Sequence, residues 1–305
     1  MTYSSPTPGD RVIHADHARL AYGKTTVATD ITLALTTPGC HLVVGPNGSG
    51  KTTLLRAIAG QIPVDGTFTV SGDKPFDNQQ IMDQCVLMGA DIGFPTAWKA
   101  RTVLRIAADR WSTFDTSRAD ELVDIFGLDT DKNYGELSRG QKTALQVVVA
   151  LAARCPITCL DEPYLGLDIE RRGILYRELA EEIAHHPRTF IIATHEPADA
   201  ASITDTVTVL DEKKMLFCAT AEQLADDVVT VAGPSNACEK LTADCPDLVL
   251  ATTTTTGMSR VIIDLRGQDD IVFSRLADKA AQLKLTAGPT ELDTTIAALI
   301  SKNRG

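Results

Sequence analysis

The sequence has no apolar run approaching the ~20 residues that a membrane-spanning helix requires, so no span is expected within it. Positive charge is also scarce: 29 Lys and Arg stand against 40 Asp and Glu, a net charge of −11. This balance argues against a general nucleic-acid binder, which would present a basic surface, and no nucleic-acid partner is expected. Sustained apolar heptads are missing too, which argues against a long coiled-coil insertion.

The seven cysteines do not form a Cys-x-x-Cys pair, and their number is odd. Further His or Cys ligands at metal-binding spacing are not found around them. The simplest interpretation is reduced thiols in a cytosolic compartment. Residues 1–10 are rich in Ser, Thr and Pro and lack the basic-then-apolar order of a signal peptide, so we expect a disordered lead-in.

A glycine-rich stretch after the apolar run Leu42-Val43-Val44 fits the phosphate-binding loop pattern, a Gly, four residues, then Gly-Lys-Thr. The run predicts a buried strand, and the residues after the loop predict a helix that stops near Gly60. Successive backbone N–H groups and the helix N-terminus then cradle a polyphosphate. The expected nucleotide-binding residues are Gly45, Pro46, Asn47, Gly48, Ser49, Gly50, Lys51, Thr52 and Thr53.

A second apolar segment, residues 157–160, predicts a strand that ends in the acids Asp161 and Glu162. A carboxylate at this place can hold Mg²⁺, for which the Thr52 hydroxyl is also suited. The neighbouring Glu162 can orient or deprotonate a water aimed at a γ-phosphate. Alone, such a strand end would be an ordinary polar turn; beside a phosphate loop it indicates nucleotide hydrolysis.

The segment Leu137-Ser138-Arg139-Gly140-Gln141 resembles the signature motif of ABC ATPases, which other phosphate-loop classes lack. Asp161-Glu162 resembles the end of the family's Walker B strand. The segment Leu165-Gly166-Leu167-Asp168 resembles the D-loop, Thr194-His195 the switch-histidine segment, and Tyr22 the aromatic residue that stacks on adenine. The motifs occur in the family's order, between residues 11 and 220.

The resemblance implies ATP and Mg²⁺ as ligands. It assigns Thr52 and Asp161 as metal ligands and Glu162 as the general base. It also implies that His195 contacts the γ-phosphate and that Tyr22 contacts the adenine.

The resemblance also implies a head-to-tail dimer with two ATP molecules between the subunits. The signature residues Ser138, Gly140 and Gln141 would then serve the nucleotide of the opposite subunit. Asp168 of the D-loop is a further expected nucleotide-binding residue. We therefore expect an ATP-dependent homodimer, or a heterodimer with another ABC ATPase.

Two positions depart from the family pattern. Arg139 replaces the commoner Gly at the middle of the signature, where the family arrangement turns the side chain away from the phosphate, so we expect tolerance. The Gln that usually follows the strand after the phosphate-loop helix falls at Gly89, which leaves open the usual metal and water contact and its coupling to a permease. Asp91 is one candidate oxygen ligand in its place.

The predicted fold class is α/β, a phosphate-loop NTPase with an ABC-type core. Residues 11–227 combine a mainly parallel sheet with an antiparallel β-subdomain and a helical subdomain at about 94–140. Residues 228–305 predict a small C-terminal α+β appendage, similar to that of many bacterial exporter-type ABC ATPases. The five threonines of 252–256 predict the end of a strand before a turn at Gly257.

The favoured function is the ATP-hydrolysing subunit of an ABC transporter, of exporter type, which powers a separately encoded integral-membrane permease. The chain would be cytoplasmic and held at the inner face of the cell membrane by the permease, with residues 89–101 around Trp98 as its docking surface. The alternative is an ABC ATPase that acts on ribosomes, DNA or a metallocluster scaffold. A third class, a nucleotide-binding regulator without turnover, would not need Glu162. The transported substrate cannot be inferred from this chain.

Overall fold

In the computed structural model of the chain, the described residues are 11–36, 38–89 and 92–304. The predicted lead-in, residues 1–10, and Asp91 lie outside the described residues. The chain divides into two compact units, one ending at Cys218 and the other beginning at Ala219. The sequence places this boundary after residue 227, and the autonomy of the C-terminal unit stays a prediction.

A nine-stranded mixed sheet forms the first unit, in the order β4-β1-β2-β9-β8-β3-β7-β6-β5. The strands are β1 (Arg11–Tyr22), β2 (Thr25–Thr36), β3 (Gly39–Val44), β4 (Val64–Val70), β5 (Cys85–Gly89), β6 (Ile157–Asp161), β7 (Thr189–Thr194), β8 (Thr206–Asp211) and β9 (Lys214–Thr220). Strands β1, β2 and β4 pair antiparallel, whereas β8, β3, β7, β6 and β5 pair parallel. The predicted parallel core with an antiparallel β-subdomain is confirmed.

Burial separates the two parts of this sheet. Strands β3, β5, β6 and β7 are buried at every residue, as expected for parallel strands that helices cover on both faces. Strand β2 instead alternates between buried and more exposed positions, as an antiparallel strand with one solvated face does.

Six α-helices belong to the described part of the first unit. They are α1 (Lys51–Ile58), α2 (Gln79–Asp83), α3 (Ala100–Arg110), α4 (Thr116–Phe126), α5 (Arg139–Ala152) and α6 (Ile169–His185). Helices α3 and α4 fall in the segment predicted to be helical. Among all described residues, no helix combines the length and apolar character needed to cross a bilayer.

A buried ion-pair cluster ties α4 to α6. The Arg118 guanidinium donates to Glu178 at 3.0 Å and to Glu182 at 2.9 Å, and Arg188 donates to Glu182 at 2.8 Å. Each of these four side chains is at most 8% exposed. Because isolated buried charges are strongly unfavourable, each carboxylate depends on its arginine partners.

The second unit contains a four-stranded antiparallel sheet in the order β11-β12-β10-β13. Its elements are α7 (Ala221–Asp227), β10 (Val228–Pro234), α8 (Ser235–Thr242), β11 (Val249–Thr255), β12 (Met258–Asp264), α9 (Asp270–Gln282), β13 (Thr286–Pro289) and α10 (Leu292–Arg304). The threonine run forms the second half of β11, and the turn at Gly257 joins it to β12. Residues from β10, β12, α8 and α9 form its own apolar cluster.

Candidate nucleotide-binding site

The carboxyl ends of four parallel strands bring the predicted motifs to one edge of the sheet. Val44, at the end of β3, lies opposite Thr194 at the end of β7. Asp161, at the end of β6, lies opposite Gly89 on one side and Ala193 on the other. Ligands of open α/β sheets bind at this kind of edge, and here it carries the phosphate loop, both acids and the switch segment.

The phosphate loop leads directly into helix α1, and its glycines take backbone conformations that other residues avoid. Gly48 has φ 83° and Gly50, the N-cap of α1, has φ 108°. Within the described residues no side chain caps this helix end, so its first N–H groups remain available to an anion. The Ser49 hydroxyl is buried and has no hydrogen-bond partner in the described ranges. The loop therefore offers several donors to a phosphate group.

The Lys51 ammonium is held at the base of the loop. It donates to the carbonyl oxygens of Gly45 at 2.7 Å and Pro46 at 3.3 Å. It also lies 3.4 Å from Glu162 Oε1. Both charged side chains are largely buried, at 6% and 12% exposure. The positive Lys51 and the negative Glu162 are therefore both held at the place where a polyphosphate would bind.

Thr52 and Asp161 form the pair of oxygen donors that a metal at this edge would use. The Thr52 hydroxyl donates to Asp161 Oδ2 at 2.6 Å. A hydroxyl and a carboxylate suit Mg²⁺, which in nucleotide sites takes one or two protein oxygens and completes its shell with phosphate oxygens and water. The donor set therefore fits Mg²⁺.

Glu162 stands in a conformation that few non-glycine residues adopt, with φ 50°. Its N–H donates to the carbonyl oxygen of Ala193 at 2.9 Å, which holds the backbone between β6 and β7. Residues strained in this way concentrate at functional sites. The conformation turns the side chain toward Lys51 and His195.

His195 and Tyr164 complete a cluster around the Glu162 carboxylate. His195 Nδ1 lies 3.0 Å from both carboxylate oxygens, and the Tyr164 hydroxyl donates to Glu162 Oε2 at 2.6 Å. Nδ1 and the Tyr164 oxygen are 2.8 Å apart. The sequence predicted roles for Glu162 and His195 and missed Tyr164, because an aromatic residue after Asp-Glu-Pro matches no motif.

A cavity of about 300 Å³ lies in front of the loop. The predicted residues that line it are Asn47, Gly48, Gly50, Lys51, Thr52, Thr53, Asp161 and Glu162, and three others, Val27, Arg139 and Leu165, join them. Arg139 thus lines the cavity of its own chain, whereas the prediction from sequence concerned only its position relative to the nucleotide of the opposite subunit.

The signature residues cap their own helix. The Ser138 hydroxyl accepts a hydrogen bond from the Gln141 N–H at 3.2 Å, and the Gln141 side chain accepts one from the Ser138 N–H at 3.0 Å. This capping box opens α5. Gly140 lies against the backbone of Gly166 with no space for a Cβ, so the signature and the D-loop are in contact.

Asp168 and Tyr22 occupy the margins of the site. Asp168 caps α6 by accepting the Arg171 N–H at 2.9 Å. Tyr22 ends β1, is 43% exposed, and its hydroxyl accepts from Arg56 of α1 at 3.2 Å. Neither residue lines the cavity, and their predicted roles remain predictions.

Gly89, at the position of the family's usual Gln, has no room for a side chain. A Cβ built there would lie 2.6 Å from Asp161 Cβ and 2.7 Å from the Asp161 carbonyl oxygen. The strand end therefore excludes a Gln at residue 89 in this backbone. The alternative, Asp91, lies outside the described residues.

Comparison with known proteins points to the family that the motifs resemble. The family model described as ABC transporter matches residues 28–165. The Nocardia farcinica sulfate/thiosulfate import ATP-binding protein CysA is 32% identical over 230 residues, 70% of this chain and 67% of that protein. The chain belongs to the ATP-binding subunits of ABC transporters. The Bacillus subtilis ABC transporter ATP-binding protein YtrB is 26% identical over 206 residues, 67% of this chain and 70% of that protein.

Solved structures of the family share the fold of this ABC protein. An ATP-binding subunit of an ABC transporter superposes with a TM-score of 0.63 at 21% identity, over 70% of this chain and 92% of that chain. The Clostridium perfringens protein cbiO1, described as part of the transporter complex cbiONQ, gives a TM-score of 0.58 at 19% identity, over 78% of this chain and 97% of that chain. The phosphate-loop ATPase fold predicted from the motifs is confirmed.

Proposed function

We propose that this chain hydrolyses ATP in a Mg²⁺-dependent reaction and powers a separately encoded membrane permease. The observation that carries the proposal is the convergence of Lys51, Thr52, Asp161 and Glu162 on one cavity. The phosphate-loop N–H groups and Lys51 bind the phosphates, and Tyr22 stacks on the adenine.

Thr52 and Asp161 would hold the metal through their oxygen atoms. Mg²⁺ held there would offset the negative charge that develops during transfer of the phosphoryl group. Glu162 accepts a hydrogen bond from the attacking water and takes its proton. The water oxygen bonds to the γ-phosphorus as the bond to the β–γ bridging oxygen breaks, which yields ADP and phosphate. His195 contacts the γ-phosphate.

Phosphate release measured with and without Mg²⁺ tests the reaction. Lys51→Ala should lose nucleotide binding, whereas Lys74→Ala, an exposed lysine outside the cavity, should keep it. Glu162→Gln should bind ATP yet turn over about 10²–10⁴-fold more slowly. Glu181→Gln, an exposed acid on α6, should match the parent. Unchanged turnover in Glu162→Gln would remove the base role from this residue.

ATP-dependent dimerisation follows from the signature motif. The signature residues Ser138, Gly140 and Gln141 serve the nucleotide of the second subunit, so ATP favours the closed dimer over the monomer. Light scattering of Glu162→Gln with MgATP should report a dimer. Adding Ser138→Arg should abolish it, and adding Ser112→Arg at an exposed position should not. A monomer at every ATP concentration would point to another ABC ATPase as the partner.

A separate permease would hold the chain at the cytoplasmic face of the membrane. The description of cbiO1, a protein of similar fold, as part of the transporter complex cbiONQ supports a partner of this kind. Residues 92–101, with half-buried Trp98, are our candidate for the docking surface within the described range. Copurification with a permease identified by mass spectrometry tests the partner. Failure to find one, with ATPase activity intact, would favour the ATPase that acts outside transport.

The direction of transport has two candidates. The C-terminal unit, similar to those of exporter-type subunits, supports export. The name of CysA, an import protein, favours uptake as the second candidate. ATP-driven substrate movement in vesicles of known orientation, once the permease is identified, separates them.

A further inference from the structure

Tyr164 is a buried side chain whose one hydroxyl contacts both residues predicted to act on the γ-phosphate. It is 1% exposed, and its hydroxyl lies 2.6 Å from Glu162 Oε2 and 2.8 Å from His195 Nδ1. The Thr194 hydroxyl lies 3.4 Å from the same oxygen. This oxygen therefore joins the loop after β6 to the end of β7.

The hydrogen atoms in this cluster can be assigned by counting donors. An ionised carboxylate only accepts hydrogen bonds, and a tyrosine hydroxyl has a single hydrogen to donate. The Tyr164 hydrogen is directed to Glu162. His195 Nδ1 lies 3.0 Å from both oxygens of the same carboxylate, which cannot donate, so the tautomer that suits this cluster carries its hydrogen on Nδ1. The imidazole is then oriented with Nε2 directed away from the carboxylate.

The ring of Tyr164 is held from its face. The Arg172 guanidinium lies 4.7 Å from the ring centroid, and Arg172 is itself fixed by Glu196 at 2.8 Å. Burial, helped by the hydrogen bond to Glu162, raises the pKa of the Tyr164 hydroxyl, so the group remains a donor at neutral pH. A fixed ring and a protonated hydroxyl make a defined support for the carboxylate.

We propose that Tyr164 is a positioning residue for ATP hydrolysis: its hydroxyl fixes the Glu162 carboxylate and the His195 imidazole relative to each other. The inference rests on the proposed function. Tyr164 acts through Glu162 and does not touch the nucleotide. Without the hydroxyl, the carboxylate loses one of its hydrogen-bond donors and samples other rotamers. Misorientation of a base lowers the rate of the chemical step more than the affinity for substrate.

Tyr164→Phe tests the proposal, because phenylalanine keeps the ring and its contact with Arg172. We expect kcat to fall about 5- to 30-fold, which is smaller than the rate loss expected from removing the general base itself. KM should change by less than about twofold. Tyr176→Phe is the matched control: its hydroxyl is also buried and has no hydrogen-bond partner among the described residues, so kcat should stay at the parent value. A parallel loss of MgATP affinity in Tyr164→Phe would contradict the proposal.

A double-mutant cycle separates positioning from a general structural effect. In the Glu162→Gln background, Tyr164→Phe should lower the residual rate by a clearly smaller factor than in the parent, because the carboxylate it orients is gone and only its contact with His195 remains to be lost. An equal fold-loss in both backgrounds would overturn the inference, as would a parent-like kcat in the single variant. A parent chain without Mg²⁺-dependent ATPase activity would instead remove the proposed function on which the inference rests.

Discussion

The close approach of Gly89 to Asp161 predicts that Gly89→Ala damages the metal side of the site. The added Cβ would meet Asp161 Cβ at 2.6 Å and the Asp161 carbonyl oxygen at 2.7 Å. Neither atom is the end of a flexible side chain, so the ends of β5 and β6 must separate. Because Asp161 also accepts the hydrogen bond from Thr52 at 2.6 Å, its displacement disturbs the proposed Mg²⁺ ligands.

The expected magnitude follows from the cost of overpacking. Extra methyl groups in well-packed regions destabilise proteins by about 1–3 kcal/mol. For a unit of this size, each kcal/mol lowers Tm by about 2–4 °C, so a fall of about 2–12 °C is expected. The Mg²⁺-dependent part of ATP binding should be lost and the Mg²⁺-independent part should remain. The phosphate-loop donors lie between β3 and α1, away from the ends of β5 and β6, and are not displaced.

Gly93→Ala is the control, since a Cβ at Gly93 would meet no atom within 4 Å. Thermal unfolding and nucleotide titration, each with and without Mg²⁺, are measured on both variants. If Gly89→Ala and Gly93→Ala behaved alike in both assays, the close approach between β5 and β6 would not be a property of the protein. Gly89→Gln should be worse than Gly89→Ala, because it adds four more heavy atoms beyond the Cβ at the same place.

Two further perturbations test other parts of the first unit. In denaturant titrations, Arg118→Met should lower the free energy of unfolding by about 3–5 kcal/mol, because it leaves Glu178 and Glu182 buried with fewer partners. The control Arg177→Met removes an exposed partner of Glu178 and should lower it by at most about 1 kcal/mol. Arg139→Ala should weaken ATP binding about 3- to 10-fold, the effect of losing one hydrogen bond of ordinary net strength. Equal affinity in Arg139→Ala and in the control Arg105→Ala would exclude a contact with the nucleotide of the same chain.

The motif residues could be predicted because the residues of each motif lie within a few positions of one another along the sequence. A phosphate loop needs its glycines and Lys51 within a few residues of each other, and the strand before it is a short apolar run. Asp161 and Glu162 were found for the same reason. Their meeting with Lys51 followed from the parallel sheet, which brings the carboxyl ends of β3 and β6 to one edge.

Contacts between distant segments could not be predicted in the same way. The cluster of Arg118 with Glu178 and Glu182 joins residues 60 or more positions apart, and a single sequence does not show which charges meet. Helix α7 and strand β13 were missed because each is short. The predicted tolerance of Arg139 rests on the family's dimer arrangement. That arrangement does not show how far the long side chain of Arg139 reaches within one subunit.

The Glu162 carboxylate shows how these two kinds of residue combine. Oε1 lies near Lys51, which a local motif identifies, and Oε2 receives its hydrogen bond from Tyr164, which no motif identifies. A carboxylate beside a lysine alone would be free to rotate toward the ammonium, whereas a donor on its second oxygen opposes that rotation. Sequence motifs thus identify the carboxylate and the lysine that carry the charges needed for hydrolysis. The orientation of the carboxylate depends on the Tyr164 hydroxyl, whose role becomes visible only when β6 and β7 lie side by side.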